Sequence, residues 1–138
     1  QNPSGNALEI ALSVGVEDII ICGHSHCGAM KGLFDAELPH RSPAINDWLR
    51  HARPAGKRAL NQYPELEGDD LIWEVVKENV LVQLKNLRSL PCVSKALARG
   101  QIKLHGWAYR IETGDILAYD EEAQTFESVG LPALPVVA

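Results

Sequence analysis

A short loop near the start of the chain contains two candidate metal ligands. Residues 22–28 read Cys-Gly-His-Ser-His-Cys-Gly, so His24 and Cys27 have the spacing His-x-x-Cys. Imidazole nitrogen and thiolate sulfur are donors that suit zinc, and a loop allows both side chains to turn toward one point. Gly23 and Gly28 flank the pair and give the backbone room for that turn. The spacing therefore indicates part of a zinc site.

The same spacing leaves alternatives open. A zinc site needs three or four ligands, so a polar loop with a buried thiol is the competing interpretation. His26 lies between the pair, and spacing alone does not say which histidine would bind. Cys22 ends a predicted strand and is expected to point into the core as a small apolar side chain. Cys92 follows Pro91 at a helix start, where a structural role is expected.

The elements around this loop predict an α/β fold. Residues 18–22 form a short β-branched run that is typical of a strand buried on both faces, and residues 29–34 predict a short helix after the loop. This order places polar side chains at the carboxyl end of a strand, where open α/β sheets bind their ligands. We therefore expect a mostly parallel sheet with an antiparallel edge strand, flanked by helices.

The rest of the chain predicts further helices and a hairpin. The strongest helix signal is a 3.6-residue apolar stripe formed by Leu71, Ile72, Val75, Val76, Val80, Leu84 and Leu87. Alternation over residues 102–111, a turn at 113–115 and a second apolar run at 116–119 predict the hairpin. Shorter helices are expected over residues 7–12, 43–49 and 93–99, and residues 131–135 are expected to be extended. Residues 35–43 and 53–70 show no regular pattern.

Composition and charge exclude some classes of function. The 138 residues are 46% hydrophobic and 22% charged, which suits one globular domain or most of one. The net charge is -5 and no basic patch stands out, so a nucleic-acid partner is not expected. The apolar runs are too short to span a bilayer, so no membrane association is expected. Three cysteines without regular spacing suit a reducing compartment better than a disulfide framework.

Several segments together resemble the β-class carbonic anhydrases. Residues 21–33, from Ile21 through the loop to Leu33, closely resemble the second zinc motif of that family. Other segments are similar to it in family order, namely residues 7–11, 16–18, 47–49, 78–80, 83–87, 104–109 and 111–114. The resemblance is nearest to the plant-like bacterial and cyanobacterial branch. It implies the β-carbonic anhydrase fold, with residues 1–138 as the C-terminal part of a single domain.

The resemblance also assigns site residues. It implies that His24 and Cys27 are the second and third zinc ligands, because the family's ligand histidine directly follows the first glycine of the motif. His26 occupies a position that the family does not use for metal, and Gly28 matches backbone that lines the substrate pocket. The family's first ligand lies in a Cys-x-Asp-x-Arg motif, whose aspartate and arginine form a dyad beside the zinc. These 138 residues lack that motif, so we expect it upstream of Gln1, in an N-terminally incomplete chain.

The implied activity is the zinc-dependent, reversible hydration of carbon dioxide to bicarbonate and a proton. A carbon disulfide or carbonyl sulfide hydrolase of the same fold is one alternative. A catalytically inactive structural or binding homologue without the first ligand is another. The resemblance implies a homodimer or a higher homo-oligomer, and an open sheet with an edge strand is consistent with that. The cytoplasm is the expected location, with a carboxysome-type compartment or a plastid as alternatives.

Overall fold

The computed structural model describes residues 3–130, with side chains from residue 7 onward. The helices are α1 (Pro3–Ser13), α2 (Gly28–Gly32), α3 (Leu38–Arg41), α4 (Pro43–Leu49), α5 (Arg53–Gln62), α6 (Gly68–Arg88) and α7 (Pro91–Ala98). The strands are β1 (Asp18–His24), β2 (Lys103–Tyr109), β3 (Ile116–Asp120) and β4 (Thr125–Ser128). The predicted extended segment at residues 131–135 lies outside the described residues.

The four strands form one mixed sheet in the order β1-β2-β3-β4. β1 runs parallel to β2, with His24 opposite Tyr109 at the carboxyl end, whereas β2–β3 and β3–β4 are antiparallel. The expected α/β class, with helices against a sheet, is confirmed. The predicted hairpin is present as β2–β3, and β4, which no sequence pattern predicted, extends it by a second antiparallel pairing.

Helix α6 covers one face of this sheet. Its predicted apolar stripe is confirmed, because Val75, Val76 and Val80 are almost completely buried. Two glycines allow the helix to approach closely. A Cβ at Gly23 would lie 2.7 Å from Val76 Cγ1, and one at Gly106 would lie 2.7 Å from Leu84 Cδ1. The close packing of α6 therefore fixes the end of β1 from which the candidate loop begins.

The opposite face of β1 is open in the part of the chain that the structure describes. Ile19 and Ile21 pack with α1 and α7 in a second apolar cluster. Asp18, Ile20, Cys22 and His24 alternate with them and are exposed. The expectations that β1 is buried on both faces and that Cys22 points into the core are therefore wrong for these residues. The physical reason is that α1, α6 and α7 all pack on the same face of β1, and alternate residues of a strand point to opposite faces.

Two helices lie in segments for which the sequence showed no regular pattern. α3 and α5 each have a proline at the first or second position, where the missing N–H costs nothing. α5 buries only a narrow strip of small residues, Ala55, Gly56 and Ala59. The segment has few large apolar residues and contains Pro54 and Gly56, which are typical of loops, and this explains why the helix was missed. Between residues 3 and 130, no helix is long and apolar enough to cross a membrane.

Candidate metal centre

The loop between β1 and α2 presents its two candidate ligands at its two ends. His24 is the last residue of β1 and is exposed, and Cys27 directly precedes α2 and is half-buried. Gly28 is the first residue of α2, and a Cβ added to it would meet no atom within 4 Å. The predicted ligands and the predicted pocket glycine therefore lie at the carboxyl end of β1, beside the open face of the sheet.

The ring of His24 is held in one tautomer. Its Nδ1 lies 2.8 Å from the carbonyl oxygen of Ser25. A carbonyl oxygen can only accept a hydrogen bond, so Nδ1 carries the proton and donates it. In the neutral ring the lone pair is then on Nε2. This is the arrangement that metal-binding histidines use, since an outer hydrogen bond fixes the tautomer and the ring orientation.

The thiol of Cys27 is not used to cap the helix that follows it. Cys27 has an extended backbone (φ -62°, ψ 112°), and its side chain makes no capping hydrogen bond. Its carbonyl oxygen accepts the N–H of Lys31 at 3.0 Å, which begins the helical hydrogen bonding of α2. The side chain packs partly against the apolar cluster under α6. The backbone of Cys27 is thus tied to α2, while its sulfur has no role in the cap.

Both ring nitrogens of His26 face carboxylates of the same chain. Nδ1 lies 3.4 Å from Asp69 Oδ2, at the start of α6, and Nε2 pairs with Glu112 Oε1. The residue has a left-handed backbone with φ +55°, which histidine tolerates better than most residues. Because both nitrogens have partners in the protein, the ring of His26 is not presented for a metal ion.

Ser25 ties the loop to the adjacent strand β2 at the same end of the sheet. It is the buried polar residue of the described chain, at 4% exposure. Its N–H donates to the carbonyl oxygen of Tyr109 at 2.9 Å, and its Oγ accepts the N–H of Ile111 at 2.9 Å. The hydroxyl donates to Glu112 Oε2 at 2.6 Å. Ser25 is therefore anchored to β2 and to the turn that follows β2.

Two carboxylates beside the loop are stabilised in their ionised form. The pKa of Glu112 is lowered, first by the hydrogen bond from the Ser25 hydroxyl, and further by a backbone N–H and by His26. The pKa of Asp69 is lowered mainly by Lys31, whose Nζ lies 2.7 Å from Asp69 Oδ1. The side of the loop that carries Ser25 and His26 is therefore a charged network that connects β1, α6 and the turn after β2.

The donor chemistry of this chain fits zinc in part. A histidine with a bare Nε2 and a cysteine are zinc ligands by type. Across residues 3–130, however, no group of three or more His, Cys, Asp or Glu side chains comes together in a way that could hold a metal ion. The described residues therefore supply His24 and Cys27, at the two ends of the loop, without completing a ligand set.

Sequence reasoning missed three participants of this network: Ser25, Asp69 and Glu112. Ser25 lies inside the candidate motif, but a serine between two histidines carries no pattern of its own. Glu112 is 87 positions away from Ser25 along the chain, so only the folded sheet brings them together. The one available signal was the Thr113-Gly114-Asp115 turn, which predicts where the chain reverses but not which carboxylate meets the loop.

Comparisons with known proteins agree on one family. A family model described as carbonic anhydrase matches residues 3–116. A carbonic anhydrase of Synechocystis is 50% identical over 118 residues, which are 84% of this chain and 43% of that protein. A carbonic anhydrase of Pseudomonas aeruginosa is 42% identical over 125 residues, 89% of this chain and 56% of that protein. The chain thus spans about half the length of these curated relatives.

A solved structure supports the same grouping. The β-carbonic anhydrase CcaA superimposes with a TM-score of 0.87 at 46% sequence identity, over 93% of this chain and 63% of that one.

Proposed function

Since this chain belongs to the β class of the carbonic anhydrase family, we propose that the protein containing it catalyses the zinc-dependent, reversible hydration of carbon dioxide to bicarbonate and a proton. Because the chain spans about half of its curated relatives, the activity is assigned to the complete gene product. The relatives supply the choice of reaction, since the folds of enzymes do not by themselves specify chemistry.

The observation that carries this proposal is the hydrogen bond between His24 Nδ1 and the carbonyl oxygen of Ser25. It leaves Nε2 as the metal-binding nitrogen, on the residue that the motif assigns as a ligand. His24 would hold zinc through Nε2 and Cys27 through its sulfur. His26 would not take part, because both of its nitrogens are engaged by Glu112 and Asp69.

When bound, zinc supplies the Lewis acidity that lets water react as hydroxide near neutral pH. The residues of this chain would contribute part of the metal site and of the substrate pocket. His24 and Cys27 donate nitrogen and sulfur, and the open space at Gly28 leaves room for a small, linear substrate beside them. We assign the first ligand and an Asp/Arg dyad to a Cys-x-Asp-x-Arg motif elsewhere in the complete protein, of which these residues would be the C-terminal part of one domain.

The test uses the complete gene product. Zinc content by elemental analysis and carbon dioxide hydration by stopped-flow pH change are measured together, with carbon disulfide and carbonyl sulfide as competing substrates. We expect bound zinc and rapid hydration of carbon dioxide. Faster turnover of carbon disulfide or carbonyl sulfide would replace the proposed substrate. A zinc-free and inactive protein would leave a structural or binding role and overturn the proposal.

The assembly and the location are also proposals. We propose a homodimer or higher homo-oligomer in which the open face of β1, with exposed Ile20 and Cys22, is covered. Sedimentation of the complete protein would measure the oligomer size. The three cysteines are free, which favours a reducing compartment such as the cytoplasm, with a carboxysome-type compartment or a plastid as alternatives. Fractionation of the source cells would distinguish these locations.

A further inference from the structure

We propose that Ser25 and Glu112 are positioning residues that set the ring of His24 for metal binding. This role rests on the zinc function proposed above. Neither side chain is assigned to the metal. They act through the peptide that joins Ser25 to His26, because the carbonyl oxygen of that peptide receives the Nδ1 proton of His24.

Ser25 is anchored by three hydrogen bonds. Its N–H, its hydroxyl proton and its hydroxyl oxygen are each used, by Tyr109, Glu112 and Ile111 respectively. Tyr109 lies opposite His24 in the parallel pairing of β1 with β2. Ser25 is therefore held against β2, the strand that pairs with the ligand-bearing strand β1, and its burial leaves water little access to compete for these bonds.

His26, the next residue along the chain, is anchored as well. The carboxylate of Glu112 bridges both residues of the peptide, since Oε2 accepts from Ser25 and Oε1 pairs with His26 Nε2. Asp69 meets the other ring nitrogen of His26. With Ser25 and His26 both held, the carbonyl oxygen between them has a fixed direction, and the ring of His24 follows it.

Glu112, which anchors both residues, is itself held in a rigid turn. This turn is closed by hydrogen bonds among the residues on either side of Glu112. The N–H of Arg110 donates to the carbonyl oxygen of Asp115 at 2.8 Å, and the N–H of Gly114 donates to that of Arg110 at 2.8 Å. The Thr113 hydroxyl donates to Asp115 Oδ2 at 2.6 Å. A carboxylate on a closed turn can hold a partner in place, whereas one on a loose loop would follow it.

The test compares four single variants of the complete gene product and the double variant that combines Ser25→Ala with Glu112→Ala. Glu112→Ala removes both bridging oxygens, and Ser25→Ala removes the hydroxyl. Glu112→Gln keeps an amide oxygen that can accept from Ser25. Glu122→Gln is the matched control, since Glu122 is an exposed carboxylate in the turn between β3 and β4. Two quantities are measured: the zinc Kd by chelator competition, and the tautomer of His24 by nitrogen-15 NMR of the metal-free protein at a pH where the ring is neutral.

We expect Glu112→Ala and Ser25→Ala each to raise the zinc Kd about 10-fold, the lower end of the effect of losing an outer partner of a ligand histidine, because the carbonyl oxygen of residue 25 remains but loses its fixed direction. The double variant should be little worse than either, because both changes break one connection. Glu112→Gln should retain most of the affinity, and Glu122→Gln all of it. In the metal-free protein, the proton should lie on Nδ1 of His24 and become shared between both nitrogens in the two alanine variants.

The proposal is overturned if folded Glu112→Ala and Ser25→Ala proteins keep both the wild-type Kd and the wild-type tautomer, because a merely structural residue would change thermal stability alone. If Glu112→Ala does not fold, Ser25→Ala decides the question in the same way. If the unmodified complete protein binds no zinc, the proposed function fails. The tautomer comparison, which needs no metal, then still decides whether Ser25 and Glu112 orient His24.

Discussion

The two sides of the loop at residues 23–28 differ in what holds them. On one side, Ser25 and His26 are engaged by β2, by the turn after it and by α6. At the two ends of the motif, the Nδ1 of His24 donates to the carbonyl oxygen of Ser25, which leaves Nε2 for a metal ion, and the side chain of Cys27 makes no capping hydrogen bond. This difference shows how a short motif can contain two histidines and use only one of them for metal. We call Ser25 and His26 the tethered side of the loop, because their contacts fix its backbone. We call His24 and Cys27 the presented side, because they are the candidate ligands.

The largest effect is expected when a candidate ligand on the presented side, His24, is removed. In the complete gene product, His24→Ala should lower kcat/KM for carbon dioxide hydration by more than the roughly 100-fold that loss of an outer partner can cost, because it removes a ligand itself. Zinc content should fall with it. His26→Asn is the matched comparison, since asparagine tolerates the left-handed backbone at this position.

We expect His26→Asn to retain zinc and to lose less than about 10-fold in kcat/KM, at the lower end of the effects of outer partners. Stopped-flow kinetics and elemental analysis measure both variants. The assignment of the two histidines would be reversed if His26→Asn lost its zinc while His24→Ala kept it.

A smaller effect separates the two glycines that flank the loop. Gly23→Ala should lower the free energy of unfolding by about 1–3 kcal/mol, the usual cost of overpacking a core. Its Cβ would lie 2.7 Å from Val76 Cγ1 and 3.0 Å from Val80 Cγ2. Gly28→Ala should change that free energy by less than about 0.5 kcal/mol, because a Cβ there meets open space. Urea denaturation followed by circular dichroism compares them.

Measurements of activity separate Gly28→Ala from Gly23→Ala further. If Gly28 lines the substrate pocket, Gly28→Ala should lower kcat/KM although its stability is unchanged. A Gly28→Ala protein that is as unstable as Gly23→Ala would contradict the open environment of residue 28, and a fully active one would remove Gly28 from the pocket.

The sequence predicted the helices and strands whose own residues show a regular hydrophobic pattern. The stripe of α6 is a repeated 3.6-residue pattern, and its Val75, Val76 and Val80 are buried as that pattern requires. The hairpin β2–β3 follows from alternation and a turn. α5 was missed because it has few large apolar residues and contains Pro54 and Gly56. β4 was missed because a four-residue strand is too short to show a pattern. The exposure of Cys22 could not be predicted either, since it depends on which face the helices cover.

The candidate site was predictable only as far as its motif extends. His24 and Cys27 have a spacing with chemical meaning, but the spacing leaves His26 as an equal candidate. The fold separates the two histidines by giving His26 two carboxylate partners from distant parts of the chain. The bond between Ser25 and Glu112 spans 87 positions. No local pattern encodes such a pairing, because it arises from the register between β1 and β2 and from the turn that follows.

The smallest effect is expected in the pH dependence of thermal stability, which tests the contacts of Glu112 with the tethered side. The pKa of Glu112 is lowered in the folded protein, chiefly by the Ser25 hydroxyl. The ionised carboxylate is thus favoured by folding, so its contribution is fully present above the ordinary glutamate pKa of about 4.3. That contribution is lost as the pH falls through the lowered folded value. Wild-type Tm should therefore decrease more steeply below about pH 4 than the Tm of Glu112→Gln.

Thermal melts of the complete protein at several pH values measure this difference, with Glu122→Gln as the control that should follow the wild type. The effect is small, because the Glu112 side chain is 43% exposed and solvent screens much of its interaction. Parallel curves for wild type and Glu112→Gln would mean that the carboxylate is not held in its ionised form by Ser25. Ser25 and His26 would then depend on the backbone hydrogen bond from Ser25 to Tyr109, which does not titrate, rather than on charge.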